Sequence, residues 1–227
     1  MASPPCVVVV IPAFREPTMV GGVVESIRPH VDRVVVVDDG SGDGTGDAAR
    51  RAGATVLTHI ANRGQGASLM TGIRYALTKG ADIILTMDAD GQHDPQEITA
   101  MIEPILTGKA DIALGSRFLR SGHLVPLPRK ALLVAATWYT RMVSGLDLTD
   151  THNGFRAMSR HAASTIKLTQ DRMAHASEIL DQVAELELRY VEVPVTIRYT
   201  DYSLAKGQRA MNGLRILVDL WVGKVLG

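Results

Sequence analysis

Five short runs dominated by valine, isoleucine and leucine recur within the first 117 residues, and four helix-compatible stretches fill the gaps between them. The runs are "CVVVVIP" (6–12), "DRVVVVDDG" (32–40), "ATVLTH" (54–59), "ADIILTMDAD" (81–90) and "ADIALGSR" (110–117). Runs this short and this evenly apolar read as strands buried on both faces. Strands separated by helices of about 10–15 residues predict an α/β fold, with a mostly parallel central sheet and helices on both faces. In such sheets ligands bind beyond the carboxyl ends of the strands. That rule directs attention to "PAFRE", "DDGSGDGT", "DADGQHD" and "GSRF", which all fall at strand ends.

The helical stretches carry their own punctuation. Pro17 opens the first, which runs to about Ile27. The second (44–53) closes on Gly53, and the third (64–80) places Leu69, Ile73, Ala76 and Leu77 on one face and stops at Gly80. The fourth (94–108) has Asp94 as N-cap, Pro95 at the first position and Glu97 at the capping-box position. Later segments are less regular. Residues 123–130 read as a proline-punctuated loop, 130–145 as a helix, 147–160 as a polar turn into a short strand, 176–188 as a helix and 189–199 as strand-like. The final stretch, 210–227, is amphipathic, with Asn212, Arg215 and Asp219 interrupting an apolar face that includes Trp221. The expected division is therefore a domain over 1–208 and a terminal helix over 209–227.

Charge narrows the partners. The 24 basic and 24 acidic side chains cancel, and no basic stripe is present, which argues against nucleic acid. The single cysteine, Cys6, excludes an internal disulfide; at the start of an apolar run it is expected to be buried and inert. No signal peptide is visible, and no apolar run reaches the roughly 18 residues that span a bilayer, so a soluble or peripheral protein is expected.

Three acidic side chains, Asp88, Asp90 and Asp94, crowd one strand end. Like charges this close repel. A divalent cation of the Mg²⁺ or Mn²⁺ type, backed by a diphosphate, would cancel that repulsion at Asp88 and Asp90, with Gln92 the next oxygen ligand in line. Asp94 is expected only to cap its helix. Asp38 and Asp39 end the second strand as acceptor-only carboxylates suited to a base N–H or a ribose hydroxyl. They equally suit an acidic turn before a helix, or a phosphoacceptor site. The loop "NRGQGAS" (62–68) feeds a helix N-terminus that can hold phosphate, but it lacks the Gly-Lys-Ser/Thr ending of a P-loop. His93 and His152 are expected to be solvated loop residues.

The ordered set "VIPAFRE", "VVVVDDGSGDGT", "NRGQGASLMTGI", "MDADGQHDP", "LGSRF" and "DTHNGFRAMSR" resembles the family 2 glycosyltransferases, in particular dolichyl-phosphate mannose synthases and bacterial polyprenyl-phosphate sugar synthases. The resemblance spans roughly residues 5–200 and implies an inverting GT-A nucleotide-sugar-binding fold. It implies that Pro12, Ala13, Glu16, Asp38 and Asp39 hold base and ribose, with Gln65 and Ala89 beside the nucleotide. Asp88, Asp90 and Gln92 would hold the metal and diphosphate. Arg117 would face the acceptor phosphate, and Asp150, Asn153 and Arg156 would form the acceptor loop. Arg198, Ser203 and Lys206, in a segment similar to the family's closing lid, are the further phosphate contacts implied. Phe14-Arg15 stand where the family often has Tyr-Asn, and Gln65 where it often has Lys, which bears on base and donor preference.

A lipid monophosphate arrives anionic and needs cations rather than a base. The expected reaction is thus metal-dependent transfer from a nucleotide-diphosphate sugar, UDP-linked in preference to GDP-mannose, to polyprenyl phosphate for cell-envelope glycan synthesis. It would take place at the cytoplasmic membrane face, with the terminal helix on the membrane surface or on a small membrane protein. The alternatives are transfer to a glycan hydroxyl with Asp150 as base, a sugar nucleotidyltransferase, and a non-catalytic phosphoacceptor module.

Overall fold

A computed structural model describes residues 4–119, 145–171 and 174–198 of the chain. The predicted alternation is present. Strands β1 (Val7–Ala13), β2 (Arg33–Asp38), β3 (Thr55–Thr58), β4 (Ile83–Thr86) and β5 (Ile112–Ser116) alternate with helices α1 (Val20–Ile27), α2 (Thr45–Arg51), α3 (Gln65–Thr78) and α4 (Ile98–Leu106). Then follow β6 (Arg156–Ser159), α5 (Arg160–Thr165), α6 (His175–Glu185) and β7 (Tyr190–Pro194). The seven strands form one sheet in the order β3-β2-β1-β4-β6-β5-β7.

Strand β1 shows why the sheet forms. Its residues Val8, Val9, Val10 and Ile11 are fully buried. Successive side chains point to opposite faces. Val7, Val9 and Ile11 pack with Val20, Val24 and Ile27 of α1 and with Ile98 and Met101 of α4. Val8 and Val10 pack with Leu69 and Ile73 of α3 and Ile179, Leu180 and Val183 of α6. Each such burial contributes about 1.5–3 kcal/mol relative to exposure.

All neighbouring strands pair in parallel except β6, which lies antiparallel between β4 and β5. Arg156, its first residue, is opposite Thr86 on one side and Leu114 on the other. The sheet is therefore mostly parallel, as expected. The inverted β6 brings the start of one strand to the edge where its neighbours end.

Local details depart from expectation. Pro17 precedes α1 in a turn, and the helix starts at Val20, whose amide donates to the Glu16 carbonyl at 3.1 Å. Asp94 caps as expected, accepting from the Gln96 amide at 3.1 Å. Glu97 forms no capping box. Its carboxylate instead accepts from the amide and hydroxyl of Thr196, so a long-range partner outcompetes the local one. Cys6 is only partly buried. The expected loop at 123–130, the helix at 130–145, the amphipathic segment 210–227, Ser203 and Lys206 lie outside the described residues.

Candidate active site

The loops leaving β1 and β2 are stitched together. The Arg15 amide donates to the Ser41 hydroxyl at 2.9 Å, and the Glu16 amide to the Thr45 hydroxyl at 2.9 Å. Asp38 accepts from the Ser41 amide at 3.0 Å. Gly40, at φ 72°, takes a conformation that disfavours side chains, and a Cβ there would lie 2.7 Å from the Ala61 carbonyl carbon. This close approach seats the 59–65 loop beside the end of β2.

Asp39 reaches into that loop. One carboxylate oxygen accepts from the Arg63 amide at 3.0 Å and contacts His59 Nδ1 at 2.7 Å; the other accepts from the Gly64 amide at 2.7 Å. The far nitrogen of His59 lies 3.0 Å from the Thr71 hydroxyl on α3. Burial pushes the Asp39 carboxyl up, but the Arg63 and Gly64 amides and His59 outweigh it and hold it below the ordinary value. Asp39 thus organises the loop feeding α3. Pro12 and Ala13, with the buried Glu16, complete this side of the edge.

Gln65, the first residue of α3, links this half to the acidic loop after β4: its amide nitrogen donates to Asp88 Oδ1 at 3.0 Å. The other Asp88 oxygen lies 3.3 Å from His93 Nε2. Asp88 keeps 35% of its side-chain surface exposed, so a ligand can reach it. Its packed surroundings raise its pKa, but His93, Arg156 and His175 more than offset this and hold Asp88 below the usual carboxylate range. Asp90 is the opposite case. Burial, then the charges of Asp88 and Glu16, push it up despite the Gln92 amide at 3.0 Å. Ala89 between them is buried.

The repulsion foreseen from the sequence is therefore distributed. His93, Arg156 and His175 offset the charge of Asp88, Asp94 pairs with Arg198, and Asp90 is the carboxylate whose ionised form its surroundings disfavour. Among the described residues no three His, Cys, Asp or Glu side chains converge as a ready-made metal cage. Two carboxylates and an amide oxygen nevertheless fit Mg²⁺ or Mn²⁺, which keep waters and substrate phosphates in their remaining positions.

The third sector comes from the loop before β6. Arg117 donates from Nε to Asp150 Oδ2 at 2.6 Å and from Nη2 to Oδ1 at 3.3 Å, and both side chains are buried. The Glu192 carboxylate on β7 holds this loop by accepting from the amides of Thr149 and Asp150. Asn153 accepts from the Phe155 amide at 3.0 Å, while its buried Nδ2 has no hydrogen-bond partner among the described residues. Arg156 is 2% exposed, yet among the described residues its side chain makes no direct hydrogen bond. Burial lowers its pKa to about 10; Asp88 and Asp150 oppose that through space. His152 is pushed down by burial and by Arg156 and Arg117.

Asp88, Asp90, Gln65 and Arg156 are thus neighbours. Arg117 and Asp150 satisfy one another, and Arg198 sits on Asp94. Several groups escaped sequence reasoning. His93 is buried against Phe155, with ring centroids 5.2 Å apart, rather than solvated. His175 is buried at the start of α6, and its charge acts on Asp88. His59 and Glu192 hold loops from a distance. Their only sequence signal is a polar residue beside an apolar run, which is too common to single them out.

The family model described as "Glycosyl transferase family 2" matches residues 8–166. The chain is 32% identical to the UDP-N-acetylglucosamine–dolichyl-phosphate N-acetylglucosaminyltransferase of Methanococcus voltae, over 96% of each chain. It is 35% identical to the undecaprenyl-phosphate mannosyltransferase of Micrococcus luteus, over 84% of this chain and 82% of that one. Among solved structures, glucosyl-3-phosphoglycerate synthase from Mycobacterium tuberculosis, in complex with Mn²⁺ and UDP-glucose, superposes with a TM-score of 0.70 at 22% identity, covering 96% of this chain and 78% of that one. The sheet, its acidic carboxyl edge and these matches agree on one fold, the GT-A type: the chain belongs to glycosyl transferase family 2 and is a glycosyltransferase.

Proposed function

We propose that the protein transfers a sugar, with inversion, from a nucleotide-diphosphate donor to polyprenyl phosphate. A UDP-sugar is the favoured donor, and a divalent cation is required. The observation that carries this reading is Arg156, a buried guanidinium beside Asp88 with no hydrogen-bond partner among the described residues. Asp88 and Asp150 act on it only through space, and an anionic phosphate arriving there would supply the charge-assisted hydrogen bonds that its N–H groups lack. The relatives named above act on dolichyl or undecaprenyl phosphate, which supports the same acceptor class.

The hydroxyl-acceptor alternative needs Asp150 as a base. Asp150 is instead held by the backbone amide and guanidinium of Arg117. A carboxylate held this way orients an arginine rather than taking a proton.

In this mechanism Pro12, Ala13, Glu16 and Asp38 line the base and ribose pocket, and Asp39 holds the loop that presents Gln65. Asp88, Asp90 and Gln92 would hold Mg²⁺ or Mn²⁺, which when bound neutralises the charge growing on the leaving diphosphate. Arg156, with Asn153 beside it and Arg117 fixed by Asp150, receives the acceptor phosphate. An acceptor phosphate oxygen forms the new bond to the anomeric carbon as the bond to the donor diphosphate breaks. The electron pair leaves with the nucleoside diphosphate, and no proton need move.

No helix among the described residues is long and apolar enough to cross a membrane. Membrane contact on the cytoplasmic face is assigned to residues 210–227 from their sequence pattern. The direct test combines purified protein, Mg²⁺ or Mn²⁺, polyprenyl phosphate in detergent and a panel of labelled UDP- and GDP-sugars. Metal-dependent, mild-acid-labile label in the organic phase is expected. Nucleotide release only when a glycan is added would move the acceptor to a hydroxyl and overturn the proposal.

A further inference from the structure

The chain beyond β7 does not run free from the sheet. Residues 195–198 cross the acidic loop as a strap. The Thr196 amide and hydroxyl donate to the Glu97 carboxylate, the hydroxyl at 2.8 Å. Ile197 pairs with His93 in an antiparallel bridge. The Arg198 amide donates to the Gln92 carbonyl at 2.8 Å, and its guanidinium pairs with the Asp94 carboxylate. Every residue of the 92–94 stretch is therefore gripped from far along the chain, and Glu97 anchors the far side.

The grip continues into the site. His93 is held at its backbone by Ile197, packs its ring on Phe155 and touches Asp88. Gln92, held at its carbonyl by Arg198, gives its amide to Asp90. Both carboxylates assigned to the cation thus owe their setting to residues that the strap fixes. The Arg198 side chain is 56% exposed, so its pairing with Asp94 adds little to global stability. Its consequence is local.

We propose that Arg198 and Glu97 are positioning residues for divalent-cation binding: the strap they clasp sets the loop on which Asp90 and Gln92 meet the ion. This rests on the metal assignment above. It gives Arg198 a role other than the acceptor-phosphate contact implied by family resemblance.

The test uses the full chain. Mn²⁺ is titrated by electron paramagnetic resonance in the presence of UDP or of GDP, alongside KM for the cation and for the acceptor. In Arg198→Ala, Mn²⁺ binding should weaken about tenfold, the loss typical when a group supporting metal ligands is removed. KM for polyprenyl phosphate should stay within about twofold, and Tm should move by no more than about 2 °C. Arg198→Lys, which keeps a charge for Asp94, should restore most of the affinity. Glu97→Gln should weaken Mn²⁺ binding in the same direction. Unchanged Mn²⁺ affinity in Arg198→Ala, or a rise confined to the acceptor KM, overturns the clasp while leaving the metal assignment standing. Equal Mn²⁺ binding by wild type and Asp90→Asn overturns the metal assignment, and the clasp with it.

Discussion

Gly154 is the position where one methyl group would test the site most sharply. A Cβ there would lie 2.7 Å from one Asp88 carboxylate oxygen and 2.9 Å from the other. An ordinary contact begins near 3.4 Å, so relief of the closer contact needs a shift of about 0.7 Å (3.4 minus 2.7). The loop cannot retreat easily, because the Thr86 hydroxyl donates to the Gly154 carbonyl at 2.7 Å. The carboxylate must turn instead. A turn of that size disturbs the 3.0 Å bond from Gln65 on one oxygen and the already long 3.3 Å contact with His93 on the other. Gly154→Ala is therefore expected to fold, with a loss of about 1–3 kcal/mol and a Tm drop of roughly 3–10 °C. Sugar transfer should fall about 10- to 100-fold, because misplacing a site group by about 1 Å costs about that much. Label transfer and thermal unfolding on the same preparation decide the matter. A transfer rate within about threefold of wild type would show that the setting of Asp88 does not matter to the reaction.

Other perturbations follow from the charges. Arg156→Met removes the buried cation that helps hold Asp88 ionised, so Tm should fall by several degrees and transfer by about two orders of magnitude; a transfer rate within about threefold of wild type would show that the reaction does not use Arg156. The folded-state pKa of Asp90 is raised, so its ionised form costs stability, and that cost appears as pH rises through the folded value. Asp90→Asn should accordingly raise Tm at pH 7 in chelator, with the gain shrinking as pH falls; a gain that grows at acid pH would contradict the sign. Asp39 is shifted the other way, and its stabilisation is lost as pH falls through its depressed folded value. The stability difference between wild type and Asp39→Asn, read by urea unfolding, should stay flat above about pH 5 and narrow below about pH 4.

The parallel half of the fold was legible because its determinants are local. A run such as "VVVVIP", short and β-branched, reads as a doubly buried strand, and the rule that ligands sit at strand ends points to Asp38, Asp88 and Arg117 on one edge. The inverted β6 was not legible, since a short run such as "RAMS" carries no mark of its direction or of its slot between β4 and β5. Glu97 was misread for the same reason: the capping-box pattern is local, whereas its partner Thr196 is 99 residues away. His93 and His59 looked like loop residues because nothing in the adjacent sequence announces Phe155 or Asp39 as neighbours. The acidic residues were found by type; which of them is already neutralised became visible only with the long-range partners in place.

The place of β6 also sets an order of events during synthesis. When β4 leaves the ribosome, its native partner on one side, β1, already exists, but its partner on the other side begins 70 residues later, from Thr86 to Arg156. At about 5–20 residues per second, that edge waits roughly 4–14 s. Meanwhile β5 emerges behind the α4 crossover and can dock directly beside β4 in parallel, as in an ordinary β-α-β unit. If it does so, β6 must insert between them to give the native order. A nascent chain halted between residues 117 and 155 would lack β6, and with it Arg156 and the strand that separates β4 from β5 in the finished sheet.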